Sequence, residues 1–181
     1  MIFNLNFSKL NKIKNISQMK KLIFLAIALF VVSTVFAQSN KWSSISYSYS
    51  KGPVSPEYQY SYSIDISADG SGKLLYTKAS TTSEYDFKVG KKGRKKLNSA
   101  INNSKVFTVS PEEMKPKELT VGGPQRSITI TKWQSPMLDA RPEVIIVPSQ
   151  VNDVYSTGVN NLYDTIENLV PNSVWNKATG Q

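Results

Sequence analysis

Between Tyr58 and Ser67 the side chains alternate strictly, with Tyr58, Tyr60, Tyr62, Ile64 and Ile66 separated by Gln59, Ser61, Ser63, Asp65 and Ser67. A repeat of two matches the pleat of a strand, where successive side chains point to opposite faces, so the run predicts a strand with one apolar face. Ala68-Asp69-Gly70-Ser71-Gly72 follows as a turn, because Asp-Gly tolerates the positive φ of tight hairpins, and Lys73–Lys78 returns as the partner strand. Upstream, Ile45, Tyr47 and Tyr49 alternate with Ser44, Ser46, Ser48 and Ser50 before Lys51–Pro56 breaks the pattern. Tyr85, Phe87 and Val89 mark a fourth strand after a Ser/Thr-rich loop.

The period then changes. Leu97, Ala100 and Ile101 follow i, i+3, i+4 spacing, which predicts a helix over 92–104 with a narrow apolar stripe, and Val106-Phe107 leads back to the core. Residues 110–125 are rich in Pro, Lys and Gly and read as a loop. Two β-rich runs follow, 127–133 and 143–147. Val151, Val154, Tyr155, Val159, Leu162, Ile166, Leu169 and Val170 then keep helical spacing until Pro171 ends it. The order ββββ-α-ββ-α, with short turns between strands, predicts an α+β fold: an antiparallel sheet with two helices packed on one face. Each half pairs strands with a helix and an aromatic (Phe107, Trp175), the faint trace a duplication would leave.

The first 37 residues read differently. Met19-Lys20-Lys21, the uncharged apolar run Leu22–Val35 and the small-residue site Val35-Phe36-Ala37 have the order of a secretory signal. The apolar run is shorter than a membrane span needs, which disfavours an anchor. Residues 1–18 precede a complete signal, so Met19 is the expected start, with a long n-region as the alternative. The expected products are a leader over 1–37 and one domain over 38–181, secreted or periplasmic and not membrane-spanning after cleavage. Five of the 22 basic residues lie in the leader, leaving 17 against 13 acids, a net +4 that does not imply an intracellular nucleic-acid partner.

The chain has no Cys and no His. Disulfides, lipidated cysteines, Ser-His-Asp triads and His- or thiolate-bound metals are therefore excluded. Ser48-Tyr49-Ser50-Lys51 matches Ser-x-x-Lys, but in a strand i and i+3 face opposite ways, and the companion motifs are absent. Asp65–Gly70 has part of a calcium loop, yet Tyr76 stands where a bidentate Glu belongs. Glu112-Glu113 fall in the Pro/Lys-rich loop, better read as solvated than as a glycosidase pair. No catalytic residue, metal or cofactor is expected.

Two candidate surfaces stand out. Lys88, Lys91, Lys92, Arg94, Lys95 and Lys96 crowd a helix N-terminus, where the macrodipole disfavours cations. They form either a solvated face or an anion-binding site. Tyr58, Tyr60 and Tyr62, together with Met137 and Leu138 between the last strands, belong to the core and its rim or are displayed to a partner.

The Tyr58–Ile66 strand with its Asp69-Gly70 turn, the Leu97–Phe107 helix exit, Gly122-Gly123-Pro124 before an Ile-Thr-Ile strand and the Leu169-Val170-Pro171…Trp175 ending resemble a group of secreted bacterial proteins without an assigned activity. The order of sheet, helix, hairpin and helix is also similar to the emfourin family, small bacterial inhibitors of thermolysin-like proteases. Ser50-Lys51-Gly52-Pro53 replaces that family's Ser-Gly-Gly-Phe-type opening, so no inhibitory residue carries over. The resemblance implies a secreted non-catalytic binding module, inhibitors included. The alternatives are an envelope-associated protein holding a surface polyanion through Lys88–Lys96, and an enzyme using carboxylates or Lys. The sequence leaves open whether the partner is a secreted or envelope protein or an anionic polymer.

Overall fold

Six alternating segments pair edge to edge into one antiparallel sheet. The computed structural model describes residues 42–119, 122–133 and 141–181, so the leader over 1–37 and the candidates Met137 and Leu138 lie outside the described residues. The strands are β1 (Trp42–Ser50), β2 (Tyr60–Ser67), β3 (Ser71–Lys78), β4 (Thr81–Lys88), β5 (Gln125–Lys132) and β6 (Val144–Val147). Their spatial order is β4-β3-β2-β1-β5-β6. Register sets Ile45 opposite both Ile66 and Ile130, and Tyr47 opposite both Ile64 and Ile128, so the apolar positions share one face.

Helices cover that face. α1 (Lys91–Asn103) lays Leu97, Ala100 and Ile101 on the sheet, and α3 (Asp153–Glu167) adds Val159, Leu162, Tyr163 and Ile166. All seven belong to one buried cluster with Ile45, Tyr47, Ile64, Ile66, Leu74, Ile128 and Ile130. This is the α+β arrangement expected, with the helices on one face of an antiparallel sheet. Two glycines permit close approach. A Cβ on Gly72 would lie 2.3 Å from the Phe87 ring, and one on Gly158 would lie 3.0 Å from the Asn103 carbonyl where α1 meets α3.

The boundaries shift in four places. Tyr58 leaves the strand: Pro56–Tyr58 is a 3-10 turn, and Tyr58 is 63% exposed. β1 stops at Ser50, whose partner is Ser61, so no neighbour remains to hold Tyr58 in a ladder. The Ser/Thr-rich loop contracts to the turn Ala79-Ser80, and its threonines join β4. Both turn residues have positive φ, 48° and 66°, a conformation hairpins favour but one that strains non-glycine residues. The loop after α1 contains the single turn α2 (Pro111–Met114), where the Ser110 hydroxyl accepts from the Glu113 N–H and Met114 is buried. The long final helix is shorter at both ends than its apolar spacing, and a further helix follows it. Asn152 caps α3 at its start, leaving Val154 81% exposed, and α4 (Asn172–Thr179) follows Pro171. Pro171 ends the first helix and begins the next, since its fixed φ suits a helix start.

Candidate functional site

At one end of the helix-covered face, the sheet's tyrosines converge on a single carboxylate. Tyr47 and Tyr62 sit on the neighbouring central strands, and both hydroxyls donate to Oε1 of Glu167, at the last turn of α3; the Tyr62 bond is 2.8 Å. Arg126 of β5 brings its guanidinium within 4.0 Å of Glu167 and 3.7 Å of Asp164. It also lies over the rings of Tyr49 and Tyr163, at 5.9 and 5.7 Å from their centroids. Burial, then the hydrogen bond to Glu167, raises the Tyr47 and Tyr62 hydroxyls well above the ordinary tyrosine range. Burial pushes Tyr163 up to about 12, with Arg126 opposing.

From this cluster a row of rings extends. Tyr62 stacks on Tyr49 at 4.8 Å, Tyr49 on Tyr60 at 5.8 Å, and Tyr60 on Tyr76 at 5.9 Å. Trp175 of α4 meets Tyr62 edge-on at 5.0 Å. The candidate tyrosines therefore divide. Tyr62 is held inside the fold by Glu167 and Trp175, Tyr60 is half-buried in the stack, and Tyr58 projects alone.

The basic cluster also divides. The Arg94 guanidinium donates to the Ala68 and Asp69 carbonyls at 3.2 and 2.6 Å, clamping the β2–β3 turn. Lys88 Nζ donates to Ser71 Oγ at 2.9 Å. That turn is further fixed by Asp69, whose carboxylate accepts from Ser71 N–H and Oγ, and these bonds lower its pKa. Asp69 of the calcium-like segment is thus engaged in the hairpin, while Asp65 lies within β2 opposite Lys73. Lys91, Lys92, Lys95 and Lys96 remain exposed, and among the described residues none of them forms an ion pair. No acid occupies the first turn of α1. Lys92 and Lys96 border a concavity of about 330 Å3 against Thr165 and Asn168 of the α3 end.

The acids considered for catalysis have other partners. Glu112 pairs with Lys115 at 2.6 Å, and Glu113 accepts from the Tyr155 hydroxyl at 3.1 Å. Ser48, Tyr49 and Ser50 close β1, as their alternation predicts, and Lys51 lies just beyond it. Among the described residues no three acids gather into a metal-binding group, and no helix is long and apolar enough to cross a membrane.

The opposite face of the sheet has a character of its own. Among the described residues no element packs over it, and its β1 side chains are Ser44, Ser46, Ser48 and Ser50. An open concavity of about 410 Å3 lies across the strands there, lined mainly by Ser48, Ser50, Ser61, Ser63, Thr77 and Ser127, with Leu75 and Arg126 also at its wall. Hydroxyls pair across strands, Ser48 with Ser127 at 2.6 Å and Thr77 with Thr82 at 2.8 Å. Serine lacks the branched Cβ that suits a strand, so a strand with serine at each outward position forgoes local stability. The alternating serines mark this face in the sequence; their register across β1, β2 and β5 required the fold. A search of protein-family models finds no match to the chain, and a comparison with curated proteins finds none either.

Proposed function

We propose that the chain is a secreted or periplasmic non-catalytic binding module, inhibitors included, and that its working surface is the uncovered face of the sheet. The single observation carrying this reading is the serine- and threonine-floored concavity on a sheet whose other face is sealed by helices. The apolar run and Ala37 site support export, and the exported form should begin at Gln38 by intact mass. The test is retention of secreted and envelope fractions on the immobilised exported protein. Ser48→Glu, Ser63→Glu and Ser127→Glu together should release whatever the native face holds; equal retention by both proteins rejects the reading.

A second reading has its own observation, the four exposed lysines of α1 without an acidic neighbour in the first turn. They would hold an anionic surface polymer. Changing Lys91, Lys92, Lys95 and Lys96 to Gln, with Arg94 kept because it clamps the turn, should abolish retention on heparin at low salt. Unchanged retention, or none by the native protein, reduces the cluster to a solvated helix face.

A further inference from the structure

We infer that the uncovered sheet face binds an uncharged polysaccharide strand laid across the strands, an inference that rests on the binding-module reading. Register lines up Gln125, Ser50, Ser61, Thr77 and Thr82 in one row over five strands. Beside it, Ser127, Ser48 and Ser63 form a second row over three strands, which Leu75 and Glu84 continue on β3 and β4. Strands lie roughly 4.8 Å apart, so a ligand crossing them meets a polar side chain about every 5 Å over about 19 Å. That interval is close to the advance of one sugar residue in an extended glycan.

The chemistry agrees with the spacing. A serine or threonine hydroxyl both donates and accepts, as a sugar hydroxyl does, so either partner can turn to suit the other. The cross-strand pairs already orient several of these rotors, which lowers the ordering cost of binding. The five-strand row carries no formal charge. The second row passes through Leu75 to Glu84, whose carboxylate pairs with Lys73. An ionic polymer placed over the neutral row would lose hydration without gaining a counter-charge. An extended peptide is also a poor occupant, because the inner strands spend their main-chain groups on the ladder and leave no edge to pair with.

The volume fits as well. About 410 Å3 falls within the usual range for ligand sites, roughly 300–1,000 Å3. A neighbouring concavity of about 250 Å3 shares Ser50, Ser61 and Thr77 and extends to Pro56 and the Ala79-Ser80 turn. The path is long rather than deep, as a polymer requires.

Affinity electrophoresis in gels containing hydroxyethylcellulose, laminarin or polygalacturonate tests this. The native protein should be retarded by at least one of the two neutral glucans, with little dependence on salt. Combined Ser48→Val, Ser63→Val and Ser127→Val removes three hydroxyls while supplying better strand formers. It should weaken the apparent affinity roughly 10- to 1,000-fold, the loss of about three net hydrogen bonds. A melting curve verifies the fold, and Ser61→Val alone gives a smaller loss of the same sign should the triple variant melt early. Retardation by polygalacturonate alone, by none of the polymers, or undiminished in the valine variants overturns the inference. If the glucans fail while the glutamate variant still releases a captured partner, the glycan is wrong and the binding face stands. If both fail, both readings fall.

Discussion

Glu167 accepts two phenolic hydroxyls on one oxygen and sits within reach of Arg126, so three strands of the sheet meet α3 at one carboxylate. Removing it strands both hydroxyls beneath α3. Glu167→Ala should cost about 1–3 kcal/mol in urea unfolding, the desolvation penalty of unsatisfied groups, whereas Glu167→Gln keeps an acceptor and should cost less. Equal losses would show that packing, not the hydrogen bonds, matters there. The tyrosines also set an alkaline limit. The unfolded chain releases phenolic protons near pH 10, while Tyr163 holds its proton to about 12 and Tyr47 and Tyr62 hold theirs higher still. Their contribution is fully present below pH 10 and falls as pH rises above it, because deprotonation then favours the unfolded state. Tyrosinate absorbance and loss of ellipticity should therefore rise together above pH 10. Titration of all nine tyrosines with the fold intact would overturn this account. The alternation places Tyr47 and Tyr62 on the apolar strand face, but their charged partners are not legible in the sequence. Arg126 and Glu167 lie far apart in the chain and follow no motif, and only the docking of α3 over β1, β2 and β5 brings them together.

At the scale of elements, the sequence reads well where periodicity is long. The strands of 42–50 and 60–67 and the helix stripe Leu97, Ala100, Ile101 fall where alternation and i, i+3, i+4 spacing place them. Short elements escape because periodicity needs repeats. α2 is a single turn, although Ser110-Pro111-Glu112-Glu113 carries the cap and proline of a helix start. α4 has only Val174, Trp175 and Ala178 to form a stripe, and Pro171 reads as a stop until the residues beyond it are seen to dock. Tyr58 fails for the opposite reason: its side chain fits the alternation, but the partner strand has already ended. The strongest helix gives the clearest test. Leu162 is fully buried and Asn161 is exposed. Leu162→Ala should cost ~2–5 kcal/mol from lost burial and the cavity left behind, against within ~0.5 for Asn161→Ala. Similar urea midpoints for the two variants would mean that α3 does not seal the sheet.

Over the whole molecule, the chain's first described strand lies inside its sheet. β1 has β2 on one side, a neighbour in sequence, and β5 on the other, reached only after α1 and α2. Closing that long loop is entropically slower than zipping β2, β3 and β4, which follow one another through tight turns. Pulse-labelled hydrogen exchange during refolding should protect the β2–β3 amides before those joining Ile45 to Ile130; simultaneous protection would show that the sheet closes in one step. The order has a consequence for a chain emerging from a ribosome. Residues that arrive among the earliest keep one edge bare until much of the polypeptide has followed. A nascent product stopped before Gln125 would display Ile45 and Tyr47 beside an unpaired backbone, an open template for another strand. The serine-rich alternation is a safeguard in that interval, because a stray chain that pairs with this edge gains apolar contact on one side only.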